Sequence, residues 1–240
     1  MDEDQWRGLA LVVGAGGGIG NALADALACN WPSMQVIRCR RTVVDPSEWR
    51  VDLECDKSLS ELRDRLSRQS LPLRLVINSS GRLHGLGLYP EKRLQQVQRQ
   101  QLVESFGINA VGPLLLARAI EPFIQRSLPF HFASLSARVG SITDNRSGGW
   151  YAYRAAKAAQ NQLLRTLSIE WGRKFPLTTV TLLHPGTTDT QLSRPFQQFI
   201  SAERIFTVQR AAEYLLQLLM CQTPKQSGSF LAWDGQLVPW

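Results

Sequence analysis

The chain has 240 residues, of which 44% are hydrophobic and 20% are charged, an apolar fraction that is typical of globular proteins and too high for a disordered one. The net charge of +7 comes from basic residues that are mostly dispersed along the chain, which indicates a solvated basic surface rather than a nucleic-acid site. No run approaches about 18 uninterrupted apolar residues, so no membrane span is predicted.

The start of the chain and its cysteines favour a reducing compartment. Three of the first five residues are acidic and the segment leads directly into a strand-like run, whereas a secretory signal begins basic and continues apolar. The cysteines lie far apart, with no CxxC pair and no nearby histidine cluster, and are expected to be reduced thiols rather than metal ligands or disulfides: Cys29, Cys39, Cys55 and Cys221. We expect a cytoplasmic protein without a metal site.

Strand-like and helix-like segments alternate along the whole chain. Strands separated by helices predict a parallel sheet covered on both faces, which is the doubly wound α/β class, here as a single domain over residues 1–240. Short apolar runs predict strands and an apolar spacing of three to four predicts helices. The strands are expected at 9–13, near 36–37, and at 73–77, 130–133, 179–183 and 229–233, and the helices at 19–28, 59–66, 102–125, 153–173 and 208–220.

One long stretch near the end, 187–206, has neither pattern. It contains Pro195, Phe196 and Phe199. Ligands bind beyond the carboxyl ends of the strands in open α/β sheets, and a long insertion there is usually a lid. We therefore expect 187–206 to be a substrate loop.

A cluster of five glycines lies between the first strand and the first helix. Glycines permit a tight turn and a close approach of the backbone to a pyrophosphate, and the helix N-terminus offers free N–H groups. The cluster fits GxxxGxG through Gly14, Gly18 and Gly20, and it fits GxxGxxG through Gly14, Gly17 and Gly20. It predicts a dinucleotide site without distinguishing these patterns.

The residues after the second strand bear on the choice of dinucleotide. An acid at this position would accept hydrogen bonds from the ribose of NAD, but the segment here is Cys39, Arg40 and Arg41. Guanidinium groups suit a 2′-phosphate. The sequence favours NADP(H), with NAD(H) still possible and chance surface arginines as the alternative.

Tyr153 and Lys157 are four residues apart at the start of a predicted helix, so both project from one face. An ammonium group near a phenol favours the phenolate and would lower the pKa of Tyr153 toward neutral pH. A phenol paired with a lysine is suited to general acid–base chemistry.

Shorter stretches add to these segments: an acid-apolar pair at 52–53, Asn-Ser-Ser-Gly at 78–81, Asn109, and a PGxxxT pattern at 185–190. Together they resemble the short-chain dehydrogenase/reductase family over residues 8–236, in which the stretch at 78–81 is usually NNAG. The resemblance implies a Rossmann-type domain with a mostly parallel seven-stranded sheet. Segments around Tyr153 and the Trp-Asp-Gly tail resemble the C-factor-like and sniffer-type carbonyl reductases of that family. The residues expected at the cofactor, from these patterns and from the resemblance together, are Gly14, Gly16, Gly18, Ile19, Gly20, Arg40, Arg41, Asp52, Leu53, Asn78, Ser79, Ser80, Gly81, Tyr153, Lys157, Pro185, Gly186, Thr188 and Thr190.

The resemblance also implies a catalytic set of Ser136, Tyr153, Lys157 and Asn109. Tyr153 would be the general acid, Lys157 would bind the nicotinamide ribose, and Asn109 would anchor a water that relays protons. Ser136 lies slightly farther from Tyr153 than the family's serine usually does, and Ser134 is the alternative. Ser141 is a weaker candidate because it lies beyond the turn.

The resemblance implies an NADP(H)-dependent oxidoreductase acting on a carbonyl compound or a secondary alcohol, assembled as a homodimer or homotetramer through the helices at 102–125 and 153–173. The alternative is a C-factor-like signalling or cofactor-sensing protein with little turnover. No nucleic acid or membrane partner is expected.

Overall fold

A seven-stranded parallel sheet forms the centre of the computed structural model, which describes residues 6–85 and 87–240. The acidic segment 1–5 lies outside the described residues. The strand order is β3-β2-β1-β4-β5-β6-β9, and every pair is parallel. The strands are β1 (Gly8–Val13), β2 (Met34–Arg40), β3 (Trp49–Arg50), β4 (Leu73–Asn78), β5 (Phe130–Leu135), β6 (Thr178–His184) and β9 (Ser229–Ala232). The predicted fold class is confirmed.

Helices cover both faces of the sheet and divide the core into two apolar layers. Along β1, Leu9 and Leu11 belong to one layer and Ala10 and Val12 to the other, as the two-residue period of a strand requires. The first layer includes residues of α2, α4 and α5, and the second includes residues of α1 and α6. The helices are α1 (Gly18–Asn30), α2 (Asp56–Ser67), α3 (Arg99–Phe106), α4 (Gly112–Ile120), α5 (Tyr151–Lys174) and α6 (Val208–Cys221).

Two predicted segments differ in detail from the structure. The helix expected over 102–125 is divided into α3 and α4 by a π-helical turn, Gly107–Val111. The stretch expected to be irregular, 187–206, contains a two-stranded parallel sheet of β7 (Thr187–Thr188) and β8 (Ile205–Phe206), which encloses two short 3₁₀ helices. Both segments lie beside the candidate site.

The helical stretch Arg99–Phe123 is long and apolar enough to cross a membrane by length and composition alone. Its most apolar window has a mean hydropathy of 1.2, and 56% of that window is buried inside the protein. Leu116 and Ile120 of this stretch are fully buried in the core. A core helix has the same composition, so this stretch is weak evidence for a membrane.

Two helical glycines should respond in opposite ways to alanine. A Cβ at Gly172, in α5, meets nothing within 4 Å, and Gly172→Ala should stabilise the protein by about 0.5–1 kcal/mol through the lower entropy of the unfolded chain. A Cβ at Gly112 would lie 2.9 Å from the Cβ of buried Leu53, so Gly112→Ala should destabilise it by about 1–3 kcal/mol. Urea denaturation of both variants would check the two signs, and shifts of equal sign would contradict them.

Candidate active site

Lys157 connects helix α5 to the end of strand β5 by a hydrogen bond. Its side chain is buried, and its Nζ atom donates hydrogen bonds of 2.9 Å to the carbonyl oxygen of Leu135 and of 2.9 Å to Oε1 of Gln160. Burial lowers the pKa of Lys157 to about 7. The lysine is therefore fixed at the carboxyl edge of the sheet and close to half-protonated at neutral pH.

Tyr153 lies one helical turn before Lys157, with the lysine Nζ atom 5.8 Å from the centre of its ring. The tyrosine is buried, and its hydroxyl group makes no hydrogen bond to any of the described residues. Burial raises the pKa of Tyr153 above its ordinary value, in contrast to the lowering predicted from the lysine. Desolvation is the cause of both shifts, because it disfavours the charged form of each group. The site holds a neutral phenol, which is a proton donor.

The two candidate serines have different hydrogen bonds. Ser134 is fully buried and accepts hydrogen bonds from Nδ2 of Asn78 at 2.9 Å and from Nε2 of Gln160 at 2.7 Å. Ser136 donates to Oδ1 of Asn161 at 2.6 Å. The third serine, Ser141, accepts the backbone N–H of Asp144 at 3.1 Å. Ser134 is bound within the core, whereas one hydrogen bond occupies the hydroxyl of Ser136.

Asn109 lies in the π-helical turn and holds the backbone of Arg82. Its Oδ1 atom accepts the Arg82 N–H at 3.0 Å, and its Nδ2 atom donates to the Arg82 carbonyl at 2.8 Å. A Cβ added to the preceding Gly81 would lie 3.3 Å from Oδ1 of Asn109 and 3.7 Å from Nζ of Lys157. The structure thus brings Asn109 and Lys157 together around Gly81.

The glycine cluster forms a turn that has no space for a side chain at Gly14 and Gly20. Gly14 has a φ of +87°, and a Cβ there would lie 2.7 Å from the amide nitrogen of Ser80. A Cβ at Gly20 would lie 2.4 Å from the Gly14 carbonyl and 2.4 Å from Oγ of Ser79. Gly16, Gly17 and Gly18 are exposed at the N-terminus of α1, where the first N–H groups have no helical partner. This cradle fits the pyrophosphate of a dinucleotide.

Arg40 lies beside this cradle and is already paired. Its side chain passes 4.0 Å from the position of a Cβ on Gly16, its Nη2 donates to Asn21 at 3.1 Å, and its Nε is 2.8 Å from the carboxylate of Glu48. Arg41 is exposed. Arg40 and Glu48 line a cavity of about 250 Å³ together with Asn21, Val36, Arg38, Asp45 and Ser47.

Asp52 and Leu53 are held by local contacts. Oδ1 of Asp52 accepts the N–H of Glu54 at 3.1 Å, and Leu53 is buried against Gly112. Neither contact touches the glycine cluster. These residues lie just after β3, at the edge of the sheet where α2 begins.

The segment after β4 closes the other side of the glycine turn. Ser79 donates to the Val13 carbonyl at 2.8 Å, and Ser80 donates to Oδ1 of Asn78 at 2.5 Å. Asn78 in turn donates to Ser134, on the neighbouring strand β5. The predicted stretch 78–81 therefore connects the ends of β1, β4 and β5.

The segment after β6 packs against the same glycine turn. A Cβ at Gly18 would lie 3.3 Å from Cγ2 of Thr190. Thr188 is buried and its hydroxyl donates to the Pro185 carbonyl at 3.5 Å, while Gly186 has a φ of +74° and lies against the ring of Phe206. Thr190, unlike Thr188, therefore borders the glycine turn.

A model of the short-chain dehydrogenase family matches residues 8–200, which is most of the chain. This chain is a short-chain dehydrogenase. It is 32% identical to C-signal of Myxococcus xanthus over 70% of this chain and 93% of that protein. It is 29% identical to 1-hydroxy-2-glutathionyl-2-methyl-3-butene dehydrogenase of Rhodococcus sp. (strain AD45) over 96% of this chain and 98% of that protein.

Solved structures confirm the fold of this short-chain dehydrogenase. An NADPH-bound carbonyl reductase from chicken fatty liver superposes with a TM-score of 0.82 at 23% identity, covering 98% of this chain and 100% of that one. The carbonyl reductase Sniffer of D. melanogaster gives 0.79 at 23% identity, covering 98% and 99%. The family and its dehydrogenase relatives identify an NAD(P)-dependent oxidoreductase, as the sequence predicts.

An aromatic wall beside Tyr153 connects the dehydrogenase site to the segment 187–206. The Trp150 ring lies 6.4 Å from the Tyr153 ring and 4.8 Å from that of Phe196, centre to centre. Phe196 also contacts His84 at 5.9 Å, and Nε2 of His84 lies 3.1 Å from the Gln191 carbonyl. The side chain of Phe199 lies outside the described part of the chain.

Four polar residues around the site are absent from the sequence-based set: Gln160, Asn161, Glu48 and Glu91. Gln160 and Asn161 lie three and four residues after Lys157, so helical spacing was a signal that could have found them. Glu48 and Glu91 are buried acids in loops. Glu91 contacts Ala152, which is far away in sequence, whereas Glu48 contacts Arg40 and Val44, which are near in sequence but lie in a segment without a periodic pattern.

Alanine at the two serines should separate a structural role from a catalytic one. Ser134→Ala leaves the buried amide groups of Asn78 and Gln160 without an acceptor and should cost about 1–3 kcal/mol of stability. Ser136→Ala should lower turnover of a carbonyl substrate more than Ser134→Ala does, measured per folded molecule. A larger loss of turnover for Ser134→Ala would reverse the choice of serine.

Proposed function

We propose that this short-chain dehydrogenase reduces an aldehyde or ketone with NADPH, or oxidises a secondary alcohol in the reverse direction, through Ser136, Tyr153, Lys157 and Asn109. The observation that carries the proposal is the buried pair of Tyr153 and Lys157, with 5.8 Å between the Nζ atom and the centre of the phenol ring. The pair lies beside a glycine cradle for a dinucleotide, and the family's chemistry needs such a proton donor at this position.

Each side chain has a role that its contacts support. Tyr153 gives its proton to the carbonyl oxygen, because burial keeps the phenol protonated at neutral pH. Ser136 binds the same oxygen once its hydroxyl hydrogen turns away from Asn161. Lys157 stabilises the phenolate that remains and holds the nicotinamide ribose. NADP(H), when bound, supplies or accepts the hydride.

Asn109 supports a proton path to Lys157, as the family resemblance implies. Its side chain fixes the backbone at Arg82, next to Gly81 and within the neighbourhood of the lysine. The lysine is close to half-protonated at neutral pH, so it can take up a proton and release it again. A water anchored at this turn would connect it to solvent.

The substrate site that we propose is apolar on one side. Trp150 and Phe196 form a wall next to Tyr153, and the segment 187–206 that carries Phe196 is the proposed lid. Carbonyl compounds with an apolar substituent would match this wall.

A partner subunit would cover exposed apolar residues on the helices, Val103, Val111 and Ile169, in a homodimer or homotetramer. The free cysteines suit a cytoplasmic location.

Tyr153→Phe should lower the rate of carbonyl reduction by about 10²–10⁴-fold, because it removes the proton donor. NADPH affinity should change little, because the glycine cradle and Lys157, which would hold most of the cofactor, are left intact. The loss of NADPH absorbance with a panel of aldehydes, ketones and quinones would measure the rate, and NADPH fluorescence would measure binding.

Tyr151→Phe is the matched control for this variant. Tyr151 is a second phenol two residues earlier and is partly exposed, and the residue four positions after it is Ala155 rather than a lysine. This control should keep the wild-type rate. Equal rates for Tyr153→Phe and the wild type would overturn the assignment of the acid.

Arg41→Ala should weaken NADPH binding by about 10- to 100-fold and leave NADH binding nearly unchanged, because only NADPH offers a phosphate to the guanidinium group. Arg40→Ala should act in the same direction, but it also leaves buried Glu48 unpaired and should lower stability as well. Fluorescence titrations with both cofactors would measure the affinities. Arg63→Ala, an exposed arginine on α2, removes the same charge elsewhere.

Equal weakening of NADPH and NADH would mean that the arginines support the fold rather than the phosphate. Unchanged affinities in both variants would assign NADP(H) preference to other residues. The titrations therefore decide whether the preference for NADP(H) belongs to Arg40 and Arg41.

A second candidate function is cofactor sensing without turnover. The similarity to C-signal of Myxococcus xanthus over 93% of that protein is the observation that favours it. A pure sensor has no chemical need for a buried phenol beside a lysine. NADPH that binds tightly but is oxidised with no compound of the panel would favour the sensor.

A further inference from the structure

The turn before the catalytic helix holds Trp150 in a left-handed conformation. Trp150 has a φ of +51°, and it is the one residue other than glycine with a positive φ in the part of the chain that the structure describes. Gly148 and Gly149 directly before it have φ values of +64° and +65°. A bulky residue in this region is strained and persists only where the surroundings fix it.

Glu91 supplies the contacts that fix this turn. Its backbone carbonyl accepts the N–H of Trp150 at 2.5 Å. Its carboxylate accepts the N–H of Ala152, with both oxygens at 3.3–3.4 Å. The glutamate is 2% exposed and comes from the loop after β4, 61 positions away from Ala152 in sequence. One residue thus holds both sides of the junction between the turn and α5.

The chemistry of the junction explains why the group is a carboxylate. The N-cap residue of α5 is Trp150, which offers no side-chain hydrogen bond to the helix. The first turn of α5 therefore presents free N–H groups and the positive end of the helix dipole, and the buried carboxylate bonds one of these groups, that of Ala152, and places an acid at the dipole. Tyr153 lies in that first turn, directly after Ala152.

We propose that Glu91 is a positioning residue that fixes the Trp150–Tyr153 turn, and so aims both the phenol and the aromatic wall at the substrate. The inference rests on the proposed function, in which Tyr153 is the proton donor. Glu91 acts through the backbone of α5 and does not touch the reacting atoms. A small displacement of a proton donor is costly, since a misplacement of about 1 Å can cost about 10²-fold in rate.

Glu91→Ala isolates the carboxylate, because the backbone bond to Trp150 does not depend on the side chain. Glu121→Ala is the matched control: the Glu121 carboxylate accepts Nε1 of Trp171 at 3.0 Å and pairs with Lys174, at the opposite end of the same helix. Glu91→Gln keeps an acceptor oxygen and the size of the side chain. It serves as the conservative variant and as the substitute if Glu91→Ala does not fold.

Hydrogen exchange by mass spectrometry gives a readout that does not depend on activity. Glu91→Ala should speed amide exchange at 151–154, and Glu121→Ala should speed it near 171–174. Unchanged exchange at 151–154 in Glu91→Ala would overturn the anchoring role, whatever the substrate proves to be. If Glu91→Ala does not fold, Glu91→Gln is measured instead. An amide exchange rate at 151–154 equal to that of the wild type would support the side-chain oxygen as the acceptor. A rate as fast as that of an unprotected turn would overturn it.

Turnover of 4-nitrobenzaldehyde with NADPH tests the consequence for catalysis. Glu91→Ala should lower kcat by about 10- to 100-fold with an unchanged Kd for NADPH, while Glu121→Ala keeps the wild-type kcat and Glu91→Gln recovers most of it. Equal losses of kcat in Glu91→Ala and Glu121→Ala would mean that Glu91 contributes to stability and does not position Tyr153. A wild-type protein without turnover of any carbonyl compound would instead refute the proposed function, and the exchange experiment would still decide the anchoring role.

Discussion

The hydrogen bond between Lys157 and the Leu135 carbonyl joins the two elements on which the site depends. Strand β5 ends at Leu135, and α5 begins a few residues before the lysine. Burial of an amine is expensive unless its N–H groups are bonded, and the carbonyls at the end of a strand have lost their partners in the sheet. The contact satisfies both groups and places the functional face of α5 above the carboxyl edge of the sheet.

The same burial sets the charge state of the site. Burial favours the neutral form of both Tyr153 and Lys157, because desolvation raises the free energy of the charged form of each. With both groups driven toward neutrality, the phenol is the available proton donor and the lysine is the neighbouring group that can take up a proton. The apolar packing that stabilises the fold therefore also shifts the pKa values of Tyr153 and Lys157.

The sequence predicts the architecture well, and it names several residues that the structure brings close together, for physical reasons. Helical and strand periodicity identifies the elements, and GxxxGxG and YxxxK are short segments whose geometry is local. It does not predict Glu91, whose partners are far away in sequence, or Glu48, whose contacts with Arg40 and Val44 depend on the conformation of an irregular loop. It also misjudges the pKa of Tyr153, since pairing is visible in a sequence but the depth of burial is not.

The two buried glutamates show a common way of building this site. Glu48 pairs with Arg40 beside the glycine turn, and Glu91 bonds the N–H of Ala152 in the first turn of α5, so each acid fixes a group next to the candidate site. A buried carboxylate is costly unless hydrogen-bond donors or an opposite charge offset its desolvation. The group that does so is thereby held in one place. Arg40 and Ala152 are therefore restricted before any ligand arrives. Preorganisation of this kind lowers the entropy lost on binding and in the transition state.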